Sequence, residues 1–189
     1  MIYDPNTQRV VAESARIARY LDATYPDAGP RLLSREADAL YAAFEAAFRT
    51  QVFPHRQALA VPLACLQLSP RSAEYFRCTR EEMAGARLED LAPPGSEKRK
   101  GHWAGLEKAF TVVAQWLDAG EDGRPFFMGE QISYADITVA SFLIWFRILF
   151  GEESEEWKTM MRWNGGRWAK FMEAFKPYEA VDVGTENQP

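Results

Sequence analysis

Two adjacent polar residues, Glu13 and Ser14, stand where a short strand-like segment passes into a helical pattern. The first turn of a helix leaves backbone N–H groups without partners, so it attracts anions, and a serine hydroxyl there can also donate to a carboxylate. The pair therefore predicts a site for a carboxylate-bearing ligand. The alternative is that Ser14 only caps the helix, since serine is a preferred N-cap residue.

An apolar stripe lies on the next predicted helix, where Leu40, Tyr41, Phe44 and Phe48 recur at helical spacing. Such a stripe normally packs into a core or against a second subunit. Three aromatic rings on one face can also line a pocket for an apolar or aromatic ligand. We therefore take Tyr41, Phe44 and Phe48 as candidate pocket residues and keep both interpretations.

The remaining reactive side chains form no recognisable constellation. Cys78 follows Arg77, which would favour the thiolate of an exposed cysteine, whereas Cys65 lies in an apolar segment and is predicted to be buried. His55 and His102 have no acid or cysteine at metal-ligand spacing, so we predict no metal site. No Ser-His-Asp or Cys-His arrangement follows from the spacing, and the residues alone predict no catalytic group.

Composition narrows the class of protein. The 189 residues include 22 Lys and Arg and 27 Asp and Glu, which gives a formal charge of −5 and a pI near 5.2. This balance argues against general binding to nucleic acid or to anionic membranes, because both need a positive field. The longest apolar run, residues 137–146, is far shorter than the roughly 20 residues of a bilayer span. Two cysteines without a disulfide framework favour a reducing compartment, so we expect a cytoplasmic protein.

The elements that must position these residues are mostly helices. Asp4-Pro5 predicts a turn between two short strands. Ser14 then begins a helix that Pro26 ends, and residues 26–30 form a linker. Helices are predicted after the linker from Ser34 to about Phe53, from Ser69 to Gly85, from Ser96 to near Gly120, and from Ser133 to Phe150. A turn at 122–125, a break at 164–166 and a frayed polar tail from Val183 complete the prediction.

The segment Ser133-Tyr134-Ala135-Asp136 has the spacing of a capping box, with Asp in place of the usual Glu. It precedes the most apolar predicted helix of the chain, which indicates the buried centre of a helical bundle. We expect this cap to contribute about 1 kcal/mol to stability.

Taken in order, these pieces resemble the cytosolic glutathione transferases. Residues 10–21, Val-Val-Ala-Glu-Ser-Ala-Arg-Ile-Ala-Arg-Tyr-Leu, look like the last strand and third helix of that family's thioredoxin-like domain, and Thr24-Tyr25-Pro26 looks like the exit from that helix. Gly129-Glu130 followed by the box at 133–136 resembles the capping motif in the buried helix of the family's second domain. Residues 73–77 and 79–82 resemble the fungal branch related to bacterial lignin β-etherases.

The resemblance implies a mainly α fold, with an all-helical C-terminal bundle over residues 31–189. A β-hairpin-helix remnant of a thioredoxin-like glutathione-binding domain would precede it over residues 1–27. In the family an acid-Ser pair at the start of the third helix holds the γ-glutamyl end of the co-substrate glutathione, which corresponds here to Glu13 and Ser14. The family's catalytic Tyr, Ser or Cys would lie upstream of Met1. The resemblance therefore assigns no catalytic residue, and we expect no conjugating activity from this chain alone.

Three functions stay open at this point. The first is a glutathione transferase shortened at its start, whose parent, a homodimer, conjugates glutathione to hydrophobic electrophiles or cleaves ethers with it. The second is a non-catalytic carrier of apolar or aromatic ligands, and the third is a protein-interaction module that uses the helical domain. Retention on immobilised glutathione would favour the first function. Saturable binding of an aromatic dye without such retention would favour the second.

Overall fold

The chain starts with a small hairpin and one helix. The structure is a computed structural model that describes residues 1–120 and 123–180. Strands β1 (Ile2–Asp4) and β2 (Arg9–Val11) pair antiparallel with Ile2 opposite Val11, and helix α1 (Ser14–Thr24) follows. The hairpin predicted at Asp4-Pro5 and the helix predicted from Ser14 are both confirmed.

The rest of the described chain is helical, which confirms the mainly α prediction. Its α-helices are α2 (Asp38–Leu59), α3 (Val61–Leu66), α4 (Pro70–Ala84), α5 (Leu88–Leu91), α6 (Glu97–Leu117), α7 (Tyr134–Phe150) and α8 (Glu155–Glu173). Two short 3-10 helices, Arg35–Ala37 and Lys176–Tyr178, stand at the two ends of this region. The predicted frayed tail from Val183 and part of the predicted turn at 122–125 lie outside the described residues.

The prediction for the second helix was wrong at both ends. It was expected from Ser34 to about Phe53, but Ser34 precedes the 3-10 turn, and α2 runs through Pro54 to Leu59. A proline inside a helix removes one backbone hydrogen bond. The helix continues because Ala58 and Leu59, beyond the proline, are buried in the core, and packing outweighs the lost bond.

Helix α8 contains the break that the sequence predicted at residues 164–166. Trp163 is extended, and Asn164, Gly165 and Gly166 all have positive φ. Asn164 holds this turn by accepting a hydrogen bond from the Trp168 indole at 3.0 Å and donating one to Thr111 at 3.1 Å. The break lets the chain turn while both Trp163 and Trp168 stay buried.

One hydrophobic core joins α2, α6, α7 and α8. Its fully buried side chains include Phe48, Val52, Leu106, Phe110, Val113, Val139, Leu143, Phe146, Met160 and Trp168. Helices α2 and α6 approach closely at Gly105, where an added Cβ would lie 2.1 Å from the His55 ring. Because Val139, Leu143 and Phe146 of α7 are all fully buried in this core, α7 lies in the buried centre that its apolar sequence predicted.

A buried carboxylate ties the hairpin to α1. Asp4 accepts hydrogen bonds from the hydroxyls of Tyr20 and Tyr25, the second at 2.7 Å, and from the Asn6 amide at 2.9 Å. The bonds from Tyr20 and Tyr25 lower the pKa of Asp4 to about 2. Because these bonds favour the ionised form in the folded state, protonating Asp4 weakens the attachment of the hairpin.

We expect Asp4→Asn to remove part of the acid sensitivity of folding. The folded pKa lies below the unfolded one, so the carboxylate stabilises the fold at pH values above about 4, and this contribution disappears as the pH falls towards about 2. The wild-type protein should therefore exceed the variant in melting temperature at pH 6, and the difference should vanish near pH 2. Asp27→Asn, at an exposed linker position, serves as the control. A difference independent of pH would contradict this role for Asp4.

Candidate functional site

The start of α1 is strained and open to solvent. Glu13, immediately before the helix, has φ 71° and ψ 124°, a conformation that side-chain-bearing residues rarely adopt. Both Glu13 and Ser14 are exposed, and among the described residues neither forms a hydrogen bond through its side chain. The first N–H groups of α1 are thus available to a ligand, and strained backbone of this kind is typical of functional sites.

The next turn of α1 packs onto a second cluster. Ala18 is buried with Leu33, Tyr41 and Tyr134, and Ala15, directly after Ser14, packs against the same group. The rings of Tyr41 and Tyr134 meet edge to face with centroids 5.0 Å apart. The candidate anion site is therefore attached to the aromatic residues at the starts of α2 and α7.

A cavity of about 490 Å³ opens on this aromatic cluster. The linker, the start of α2, the loop before α7 and the start of α7 form its walls. The lining residues include Arg31, Leu32, Leu40, Tyr41, Phe44, Phe127, Met128, Gln131, Ile132 and Tyr134. Burial raises the pKa of Tyr41, whose hydroxyl lies 3.3 Å from that of Thr138. Tyr41 therefore acts at neutral pH as a neutral hydroxyl on an otherwise mainly apolar wall.

The predicted aromatic stripe divides between cavity and core. Tyr41 and Phe44 line the cavity, and the Phe44 ring contacts Phe127 edge to face at 4.8 Å. Phe48 does not line this cavity, because its side chain is 0% exposed and packs in the main core. Phe48 lies one helical turn beyond Phe44 on α2, and at that point the helix is enclosed by the core.

The buried carboxylate of Asp136 holds one wall of the cavity. It accepts hydrogen bonds from the Ser133 amide at 2.8 Å, the Ser133 hydroxyl at 2.5 Å and the Phe127 amide at 3.0 Å. The capping box predicted from the sequence is confirmed, and the bond from Phe127 adds a loop contact that spacing could not indicate. Burial raises the pKa of Asp136, while these hydrogen bonds oppose that rise.

The structure also joins two histidines that the sequence left apart. Nδ1 of His55 on α2 lies 3.3 Å from Nδ1 of His102 on α6, and burial lowers the pKa of both rings. Only the pairing of the two helices could reveal this contact, because 46 residues separate the two positions. Within residues 1–120 and 123–180, no three His, Cys, Asp or Glu side chains gather as a metal site would require. In the same part of the chain, no helix has the length and apolar composition needed to cross a bilayer.

The family model and the curated relatives that match this chain all belong to one family. Residues 39–178 match the family described as the glutathione S-transferase C-terminal domain. The Aspergillus flavus glutathione S-transferase-like protein ustS is 31% identical, over 82% of this chain and 55% of its own length. Glutathione S-transferase U18 of Arabidopsis thaliana is 26% identical, over 76% of this chain and 51% of its own length. The chain thus spans about half the length of these curated relatives.

Solved structures of fungal proteins match nearly the whole chain. The glutathione S-transferase CsGST63524 of Ceriporiopsis subvermispora, crystallised with glutathione, is 44% identical with a TM-score of 0.93. That match covers 96% of this chain and 72% of the crystallised one. Glutathione transferase GSTFuA3 of Phanerochaete chrysosporium is 42% identical with a TM-score of 0.86, over 96% of this chain and 70% of its own.

We expect Asp136→Ala to lower the free energy of unfolding by about 2–4 kcal/mol, more than an ordinary helix cap contributes. The substitution removes the acceptor of three hydrogen bonds and leaves the buried Ser133 amide and the partly buried Phe127 amide without that partner. Ser154→Ala is the matched control, since the Ser154 hydroxyl caps α8 by accepting from the Trp157 amide and otherwise donates only to the nearby Gly151 carbonyl. That variant should lose about 1 kcal/mol. Equal losses in urea titrations of the two variants would show that Asp136 is a cap and nothing more.

Proposed function

The chain belongs to the glutathione S-transferase family, as its sequence motifs predicted, and on that basis we propose that it serves glutathione-dependent chemistry on apolar substrates. The chemistry is conjugation of glutathione to a hydrophobic electrophile or glutathione-dependent cleavage of an ether. One observation carries the proposal. The strained, open start of α1 is attached through Ala15 to the aromatic cluster that lines the cavity.

Glu13 and Ser14 are proposed to hold the γ-glutamyl end of glutathione. That end carries a carboxylate and an ammonium group. The free amides of α1 and the Ser14 hydroxyl suit the carboxylate, and the Glu13 carboxylate suits the ammonium. The residues present therefore fit one end of the tripeptide. The proposal gives this chain binding roles only and assigns activation of the thiol to none of its residues.

The cavity is proposed to receive the apolar partner of glutathione. Its walls carry aromatic and aliphatic side chains from two helices and a loop, with the Tyr41 hydroxyl as a polar group. Such a cavity takes up an aromatic ring by removing apolar surface from water. Residues 1–27 would then belong to the glutathione-binding domain and residues 31–189 to the helical domain, in a cytoplasmic homodimer.

A carrier of apolar ligands is the second candidate function. The cavity supports it independently, because an aromatic compound could bind there without any contact to Glu13 or Ser14. Retention on immobilised glutathione separates the two functions. A protein that binds an aromatic dye saturably but is not retained on glutathione would be a carrier.

We expect Ser14→Ala to weaken glutathione binding while the fold stays intact. Losing a hydrogen bond to a charged group costs about 1.5–3 kcal/mol, so the dissociation constant should rise roughly 10- to 150-fold. Isothermal titration calorimetry measures the change. Ser72→Ala, at an exposed serine in the first turn of α4, is the matched control and should leave the affinity unchanged. Equal affinities for all three proteins would leave Ser14 as a helix-start residue only.

We expect Leu40→Gln to weaken binding of an aromatic dye to the cavity. Leu40 lines the cavity yet is 74% exposed, so the substitution removes apolar contact without disturbing the core. The loss should be about 1 kcal/mol, or roughly fivefold in affinity. Leu66→Gln changes a leucine that is 73% exposed outside this cavity and should have no effect. Fluorescence titration in which both variants bind like the wild-type protein would place the dye elsewhere.

A further inference from the structure

Three arginines on one side of the bundle lie against aromatic rings, and two of them lack an acidic partner. We call this group the arginine patch: Arg49, Arg56 and Arg80, with the rings of Phe53, Phe76 and Trp145. Three other arginines, Arg19, Arg77 and Arg147, each form an ion pair with a carboxylate. In the described residues, neither Arg56 nor Arg80 has a carboxylate at ion-pair distance.

Arg56 is the centre of the patch. Its guanidinium carbon lies 4.1 Å from the centroid of the Phe53 ring and 5.6 Å from that of Trp145. Its Nε atom is buried and has no hydrogen-bond acceptor among the described residues. Burial lowers the pKa of Arg56, and the positive charges of Arg49 and Arg80 lower it further. The rings offset only part of the cost of partly desolvating this cation.

The two other arginines add positive charge from both sides. Arg49 lies 4.5 Å from the same Phe53 ring, and its contact with Glu45 is a single exposed one at 3.4 Å. Arg80 lies 4.8 Å from the ring of Phe76, and its guanidinium donates to the Thr79 hydroxyl at 3.2 Å.

One aromatic ring of α4 and one of α7 pack on the same small buried cluster. Phe76 and Trp145 both pack against the small buried cluster of Val61, Cys65 and Leu88. This packing brings the arginines of α2 and α4 beside partly exposed aromatic rings. Charge and aromatic surface therefore occur together, on side chains outside the walls of the cavity described above.

We propose that the arginine patch binds an aromatic carboxylic acid, with its carboxylate on the guanidinium groups of Arg56 and Arg80 and its ring against Phe53 and Trp145. A planar guanidinium offers paired donors that match a carboxylate, and aromatic rings favour a planar ligand. The carboxylate of the ligand provides the negative charge that no acidic side chain of the described residues brings to Arg56 or Arg80. The site is independent of glutathione and of Glu13 and Ser14.

Three small probes separate the contributions of charge and ring. Melting temperatures are measured with benzoate, benzamide or acetate at equal concentration, with sodium chloride holding the ionic strength constant. Benzoate at about ten times its dissociation constant should raise the melting temperature by about 3–6 °C. Benzamide has the ring without the charge and acetate the charge without the ring, so each should give less than half of that rise. A rise with benzamide or acetate equal to that with benzoate overturns the proposal.

Variants show which residues are responsible for the rise in melting temperature with benzoate. Arg56→Met and Arg80→Gln should each abolish the rise with benzoate, whereas Arg71→Gln, at an exposed arginine on the same helix as Arg80, should keep it. In sodium chloride alone, Arg56→Met should melt at or above the wild-type temperature, because it removes a partly buried unpaired charge and keeps the apolar stem. The proposal fails if Arg80→Gln still responds to benzoate, or if Arg71→Gln does not.

Discussion

The buried carboxylate of Asp136 is the constraint on which the candidate site depends. It holds the start of α7 and, through the Phe127 amide, the loop that forms one wall of the cavity. The next amide of α7, from Tyr134, donates to the Leu32 carbonyl at 3.0 Å. The Leu32 amide in turn donates to Asp22 on α1 at 3.1 Å. A continuous series of hydrogen bonds therefore fixes α1, and with it the strained site before Ser14, relative to the cavity.

This arrangement explains how the strain at Glu13 can persist. Backbone strain of about 1–3 kcal/mol survives only where the surrounding structure leaves the chain no alternative. Helix α1 is held at its far end by the bonds of Tyr20 and Tyr25 to Asp4, and on its side by the ion pair of Arg19 with Asp38 at 2.7 Å. The amides at its start are thus already oriented, and a ligand that binds them bears little ordering cost.

Features that depend on neighbouring residues were predictable from sequence, and those that depend on packing were not. The turn at Asp4-Pro5 and the box at 133–136 follow from local backbone chemistry, so both were correct. Helical spacing placed Tyr41, Phe44 and Phe48 on one face, but only the neighbouring helices decide that Phe48 is enclosed. Helical spacing relates Arg56 to Phe53, three residues earlier on α2, but the approach of Arg56 to Trp145 joins α2 to α7, and no spacing rule relates those two residues.

Helix α7 contributes to both proposed binding regions, and its length sets how they can interact. Tyr134 at its start lines the cavity and Trp145 near its end belongs to the arginine patch. They are eleven positions apart on the α-helix, or about 16 Å along the axis, which exceeds the length of a single aromatic acid. One small ligand therefore cannot occupy both regions. Any coupling between them must pass through α7 itself, and its fully buried residues Val139, Leu143 and Phe146 make it a rigid connection.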